Sequence, residues 1–498
     1  MAAKKIGRGL TITGIAGTAL SLIAAIVFND RPGIPSIPIL AIEVSVILVL
    51  SGIWLVRRET IDEIQPGKQI HRLISQILDF PIITWVLIGF LFVYLLLFLS
   101  PVFLNSNLEM NYFTRYIPNL NPIGNDLRVK IDLLRGLLVE NQSPYTIGFY
   151  PPLTYALFAP LLLIEDDATL YRLFTLFTFF NYCLLTLLLP LKMIARKHFP
   201  LALLLFITGL FSYGFQFELE RGQYNAFTFL LCMTSIYIFH YHRKHRLLAY
   251  LLFSLSVQLK LYPAIFIVMF VDDWRDWKNV IVRFTGIGLF NLGLFFLMGY
   301  QVFLDFFRSV TTQIVNPSWI GPWNHSISSF ISVAKQDGLG LLSLDTLRTF
   351  RHNAEWVEVI LILTFILLFA SALLIFHLRK ETGLDPYLLL TCMIGALILP
   401  ISYDYTLSLL PVPMLLFLCS IPEMNNPWHR LISILLTVGI SITYFSTLIP
   451  YNYRPHFLNN LFPALFLILI TVTILNFMRY KNGNGHPVAA ESASQTAA

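Results

Sequence analysis

The chain reads as an all-α polytopic membrane protein. Three observations predict this. Of its 498 residues, 56% are apolar and only 12% charged. Its mean hydropathy is +0.70. Apolar runs of membrane-spanning length recur from one end to the other, each matched to a hydrocarbon layer about 30 Å thick. The net charge of +6 is small, and the cations cluster at the ends of the runs, as the positive-inside rule requires. No lysine- or arginine-rich run suits nucleic acid, so no nucleic-acid partner is expected. Cys183, Cys232, Cys392 and Cys419 stand apart in apolar segments, without disulfide or metal-site spacing.

Taken in order, Lys4, Lys5 and Arg8 precede the run 9–28. That run is long and has no small-residue cleavage site, so it predicts a retained first transmembrane helix. Further spanning runs fall at 37–56, 82–104, 168–191, 199–217, 222–240, 279–304, 357–378, 386–402, 405–421, 430–449 and 459–478. The run 247–271 is too long for one helix and too short for two full ones. It predicts two shorter segments meeting near Lys260. The run 150–164 is short and carries Pro151, Pro152 and Pro160. Read as a re-entrant half-crossing, it keeps the parity of the topology. Residues 1–81 form a two-helix membrane appendage with a cytoplasmic linker, 82–480 the main membrane module, and 481–498 a Gly/Ala/Ser-rich tail expected to be disordered.

The basic clusters Arg57/Arg58, Lys192/Arg196/Lys197, Arg243/Lys244/Arg246, Arg379/Lys380 and Arg479/Lys481 assign the cytoplasmic side. Residues 105–149, 218–222, 305–356, 403–405 and 450–458 then face outward. The expected location is the plasma (inner) membrane, multi-pass, with the polar chemistry on the non-cytoplasmic side.

Lys260 carries the most information. It sits within an apolar run, where a charge is expensive and marks a site by default. Pro263 interrupts the helix beside it and frees backbone groups. A broken helix with a buried cation predicts an anion site, such as one for a phosphate. In the first outer loop, Leu127, Ile131, Leu134 and Leu138 recur at helical spacing, with Arg128, Lys130, Asp132 and Arg135 elsewhere. This predicts an amphipathic helix along the membrane surface. Asn125 or Asp126 begins it. Asp126 is either its N-cap or a carboxylate held at the membrane boundary as a general base. Asp132 reads as a solvated charge.

Glu218, Glu220 and Arg221 precede Gly222-Gln-Tyr-Asn225 at the mouth of the next helix. A helix N-terminus there favours an anion, and Arg221 supplies a fork for a phosphate or sugar oxygen, or else pairs with a neighbouring glutamate. Trp323, Asn324 and His325 form an aromatic–amide group of the kind that holds sugars, though a lone histidine such as His325 reads equally as structural. Asp404, after Tyr403 in Pro400-Ile-Ser-Tyr-Asp404, reads equally as a helix cap or a cavity-lining carboxylate.

These residues, in this order, resemble glycosyltransferase family 87. The motifs are Asp126-Leu-Arg-Val, Ser143-Pro-Tyr145, Tyr150-Pro-Pro-Leu153, Gly222-Gln-Tyr-Asn225, Leu259-Lys-Leu-Tyr-Pro263, Asn324-His-Ser-Ile327 and Pro400-Ile-Ser-Tyr-Asp404. The resemblance covers about residues 82–478. It implies a GT-C-type fold with about 12–14 membrane segments and an active site on the outer-face loops. It also implies transfer of a hexose, mannose in the family's pattern, from a polyprenyl-phosphate donor to a lipid or glycan acceptor. Asp126 maps to the family's catalytic aspartate. Lys260, Arg221 and Tyr262 would hold the donor phosphate. Gln223, Asn225, Tyr150, Asn324, His325, Trp323, Asp404 and Tyr403 would hold sugar or acceptor. Two positions depart from the family: Lys130, where tyrosine is frequent, and Tyr403-Asp404, where histidine or tryptophan is. No cofactor or metal is expected, because a phosphate is already a good leaving group and no tight carboxylate pair is present. The competing readings are a lipid-linked sugar flippase or transporter, a lipid-linked glycan ligase or polymerase, and a non-catalytic scaffold. No internal repeat supports transport.

Overall fold

The computed structural model describes residues 124–481, apart from positions 141, 147, 211 and 322 and the stretches 196–197, 316–320, 338–341, 380–382, 399–401, 422–425 and 450–459. The N-terminal appendage, the span at 82–104 and the tail beyond Lys481 lie outside the described residues, which all belong to one compact unit. Among them the architecture is helical; the one β-bridge joins Asn324 to Tyr403.

Helix α1 (Asn125–Val139) follows Gly124, whose left-handed backbone (φ 51°) turns the chain into it. Its inward stripe is Leu127, Lys130, Ile131 and Leu134. The spacing i, i+3, i+4, i+7 is that of one helix face. Two sequence expectations are corrected here: Leu138 is exposed, and Lys130 is buried on the apolar stripe. Asp132 is exposed and pairs with Arg135 at 3.7 Å, one turn along. Leu127, Ile131 and Leu134 pack against Tyr155 and Phe158 of α2 (Pro152–Phe158) and Leu170 and Phe174 of α3 (Asp167–Cys183). Pro152 opens α2, where its missing N–H costs nothing. A 3₁₀ turn (Ala159–Leu163) ends it. Together the two rise about 20 Å, too little to cross a hydrocarbon layer of about 30 Å.

Asp166 caps α3, accepting from the Thr169 N–H at 2.9 Å, and α3 continues through a π turn (Leu184–Leu188) to Leu191. Helix α4 (Phe199–Leu210) bends by 49° into α5 (Tyr213–Arg221), which Ser212 caps and Gly222 ends. Helices α6 (Asn225–Tyr241) and α7 (Arg246–Leu259) run side by side. After α7 the backbone goes extended at Lys260 (φ −150°, ψ 146°) and resumes as a 3₁₀ helix (Tyr262–Met269). The expected meeting of two segments at Lys260 is what forms.

Helix α8 (Trp277–Phe295) turns by 108° into α9 (Tyr300–Val315), so residues 300–304 leave the predicted span at 279–304. Gly299, at φ 103°, occupies the turn. The region 305–356 contains the rest of α9, α10 (Ile327–Asp337) and the start of α11 (Leu344–Arg379). At 1.5 Å per residue the 36 residues of α11 rise about 54 Å. Its first turns carry Asp345, Arg348, Arg351 and Glu355, and its apolar remainder supplies the crossing. Helix α12 (Pro386–Ile398) is buried from Tyr387 to Ile398, the pattern of a helix surrounded by protein. A 3₁₀ helix (Asp404–Leu409) and α13 (Pro411–Cys419) follow, then α14 (Pro427–Ser446) and α15 (Phe462–Lys481).

Four helices among the described residues are long and apolar enough to cross a membrane, or six if each bent pair is one crossing. The runs at 222–240, 247–271, 386–402 and 405–421 form shorter helices instead. The protein is thus an all-α polytopic membrane protein.

Candidate active site

The polar residues converge where α1 begins, α5 ends, α6 begins and α7 ends. Two glycines make the convergence possible. The Gly124 N–H donates to the Glu220 carbonyl at 3.1 Å, joining the entry of α1 to the end of α5. Gly222 is left-handed (φ 64°), and a Cβ there would stand 2.7 Å from Leu127 Cβ and 3.3 Å from Gly124 Cα. Only the absence of a side chain lets the two helix ends meet.

That contact sets Asp126 against the residues after α5. The Asp126 side chain does not cap its own helix. One carboxylate oxygen pairs with Arg221, and the other accepts from the Gln223 amide Nε2 at 2.5 Å. The same Nε2 lies 3.4 Å from the Tyr150 hydroxyl, and the Gln223 Oε1 accepts from Lys260 Nζ at 2.8 Å. Lys260 also donates to Asn225 Oδ1 at 2.7 Å, and the Tyr262 hydroxyl donates to the Asn225 carbonyl at 3.3 Å. Asp126, Arg221, Gln223, Lys260, Asn225, Tyr150 and Tyr262, chosen from sequence, therefore form one connected network. Arg221, expected on a phosphate, is engaged with the Asp126 carboxylate. Both side chains keep some exposure, 34% for Arg221 and 19% for Asp126.

The broken helix is closed by its neighbours. The Thr154 hydroxyl lies 2.8 Å and 3.1 Å from the Gln258 and Leu259 carbonyls, and the Tyr224 hydroxyl donates to Leu259 at 3.2 Å. Pro263, lacking an N–H, leaves the Leu259 carbonyl without its helical donor, and the extended backbone at Lys260 ends the ladder for Gln258. The Lys260 ammonium lies 4.9, 5.3 and 5.9 Å from the ring centres of Tyr224, Tyr405 and Tyr150. Aromatic faces of this kind offset part of the cost of holding a cation away from water.

The second group of predicted residues divides. Asn324, His325 and Asp404 are fully buried and hold one another and the chain around them. His325 Nδ1 accepts from the Leu461 N–H at 3.2 Å, which leaves Nε2–H to donate to Asp404 at 3.0 Å. The Asn324 Oδ1 accepts from the Ser326 and Ser402 N–H groups, and its carbonyl accepts from Asn460 Nδ2 at 2.7 Å. The Asp404 N–H donates to the Trp323 carbonyl at 3.1 Å. This interlock carries Tyr403 and Tyr405, whose rings are 5.3 Å apart, and Tyr405 reaches Lys260. Burial, followed by the Asp126 charge, pushes the Tyr403 phenol above its usual range. Trp323 is 40% exposed and Tyr403 partly so.

Several participants were not singled out as site residues from sequence. Glu218 is fully buried; it accepts from the Ala226 N–H at 2.8 Å and from the Ser408 hydroxyl at 2.6 Å. The helix N-terminus predicted to await an anion is thus occupied by the protein's own carboxylate. Tyr224 and Tyr405 wall the site.

Lys130 is 1% exposed, and its Nζ has no hydrogen-bond partner. It lies 4.1, 4.9 and 5.3 Å from the ring centres of Tyr224, Tyr150 and Phe158. Taking an ammonium out of water costs several kcal/mol. Each aromatic face returns about 0.5–2 kcal/mol. Burial pushes the amine well below the usual lysine range, the Lys260 charge adds to that, and Asp126 pulls it back up. The i, i+3 position of Lys130 after Leu127 was the available signal; its charge hid it. Among the described residues no group of three or more His, Cys, Asp or Glu could hold a metal ion.

A helical membrane protein that gathers a carboxylate, two cations, two amides and several tyrosines at its helix ends is built as a membrane-embedded enzyme. The sequence profile of glycosyltransferase family 87 matches residues 149–401. The chain belongs to glycosyltransferase family 87, and it is a membrane glycosyltransferase. The matched span begins after Asp126, which reaches the site through α1. No curated protein and no solved structure matches the chain.

Proposed function

We propose that the protein transfers a hexose, mannose by the family's pattern, from a polyprenyl-phosphate donor to a hydroxyl of a lipid or glycan acceptor. The reaction is placed on the non-cytoplasmic face of the plasma membrane. The observation that carries this reading is the Asp126–Gln223–Lys260 chain, a carboxylate and an ammonium joined through one amide. A polyprenyl phosphate is a long apolar tail with an anionic head, so its site belongs where a cation meets the bilayer edge. Lys260 holds the phosphate and stabilises the charge that grows as it leaves. The acceptor oxygen attacks the anomeric carbon as the bond from that carbon to the phosphate oxygen breaks. The phosphate departs with the bonding electrons, and Asp126 takes the hydroxyl proton. One displacement inverts the anomeric centre without a covalent enzyme intermediate. Substrate entry would release Arg221 from Asp126 toward a phosphate or sugar oxygen, and the exposure of both side chains supports that exchange. Tyr150, Tyr403 and Trp323 offer ring faces to the sugar. No metal is required, since the lysine supplies the positive charge.

Purified protein incubated with polyprenyl-phosphate-mannose and candidate acceptors should yield a new glycoside detectable by mass spectrometry. Asp126→Asn should lower transfer by about 10²–10⁴-fold, the usual contribution of a general base, with an unchanged melting temperature. Transfer by that variant within about tenfold of wild type would remove Asp126 from the base role.

A further inference from the structure

Lys130 is used by nothing in the mechanism above, yet it is buried one helical turn from Asp126, in contact with two of the site's rings. The charged and titratable groups facing it are Asp126 on its own helix, Lys260 after α7, Tyr150 in the loop before α2, and Tyr224 between α5 and α6. Its amine meets no oxygen or nitrogen partner, only the faces of Tyr224, Tyr150 and Phe158. Two amines lie near the Tyr150 ring, Lys130 Nζ at 4.9 Å and Lys260 Nζ at 5.9 Å from its centre, and the Phe149 ring stacks on it at 5.4 Å. The Tyr150 hydroxyl points to the Gln223 amide that also holds Asp126. Tyr150 lies outside any helix, and Tyr145 holds its carbonyl from the loop at 3.1 Å. The ring is left to be fixed by what touches its faces.

We propose that Lys130 is a positioning residue for the transfer reaction: its buried amine, set against the Tyr150 ring, fixes that tyrosine against Gln223 and so sets the amide that spaces Asp126 from Lys260. Lys130 touches no reacting atom. It acts through Tyr150, so its contribution belongs to turnover rather than donor affinity. The inference rests on the sugar-transfer reading for its kinetic readout, but not for its structural one.

The test is a double-mutant cycle with polyprenyl-phosphate-mannose as donor. Lys130→Met keeps the length and removes the amine. It should lower kcat by about tenfold to a hundredfold, the scale of an ångström-sized misplacement, with donor KM unchanged. In a Tyr150→Phe background, which keeps the ring and removes the hydroxyl, the Lys130→Met effect should largely vanish. Lys130→Arg, whose guanidinium also stacks on rings, should recover part of the lost turnover. Additive losses in the cycle, or a lower melting temperature with kcat and KM changed alike, would make Lys130 a structural residue and overturn the proposal. If wild type shows no transfer from this donor, the sugar-transfer reading fails by itself. A structure of Lys130→Met in lipid nanodiscs then decides: Tyr150 displaced from Gln223 supports the proposal, and the 3.4 Å contact retained refutes it.

Discussion

At the residue scale, Lys260 is held by the amide oxygens of Gln223 and Asn225, while aromatic rings surround it. Amide oxygens orient an ammonium without neutralising it, so its charge remains available to an incoming anion. A hydrogen bond to a charged group contributes about 1.5–3 kcal/mol, so Lys260→Met should raise donor KM by roughly tenfold to a hundredfold. Steady-state rates against donor concentration read this directly, and an unchanged KM and kcat would exclude the phosphate role. The lysine was legible in sequence because a charge within an apolar run has few explanations. Lys130 was not, because it stands among Arg128, Asp132 and Arg135 on a helix whose outer face is charged. Only the packing of α1 on α2 shows which of those charges turns inward.

At the element scale, the helix ends matter more than the helix bodies. The meeting of α1 with α5 depends on Gly222, where any side chain faces both a left-handed backbone and Leu127. A non-glycine residue in that conformation costs about 1–2 kcal/mol before any clash. Gly222→Ala should therefore lower the melting temperature and lower transfer disproportionately, since Arg221 and Gln223 shift away from Asp126. A variant with wild-type turnover would show that the close approach does not set the site. The break at Lys260 followed from Pro263 and the length of its run. The bend between α8 and α9 did not, because apolar residues continue across Gly299 and hydropathy alone cannot register a turn. Glu218 was visible as a charge near a helix mouth, but its burial depends on Ser408, distant in sequence.

At the scale of the whole molecule, the proposed sidedness puts the site and the basic clusters on opposite faces of the membrane. Gln142, in the loop after α1, and Lys244, between α6 and α7, are both exposed and test it. In a background without the native cysteines, an impermeant maleimide applied to intact cells should label Gln142→Cys and spare Lys244→Cys. The reverse pattern would put the active site in the cytoplasm. The helical membrane class was readable from composition. The separation of Asn324, His325 and Asp404 into a buried interlock was not, because amides and histidines near aromatics look alike whether they face a sugar or each other. That interlock has a bearing on biosynthesis. His325 and Asn324 are held by the backbone and side chain at Leu461 and Asn460, immediately before the last described helix. A membrane protein emerges from its N-terminus onward. Asp126, Gln223 and Lys260 can meet before Asn460 and Leu461 have been made, but the segment bearing Tyr403 and Tyr405 is locked only after them. The nascent protein thus gathers its carboxylate and cation early and fixes the tyrosines beside them late.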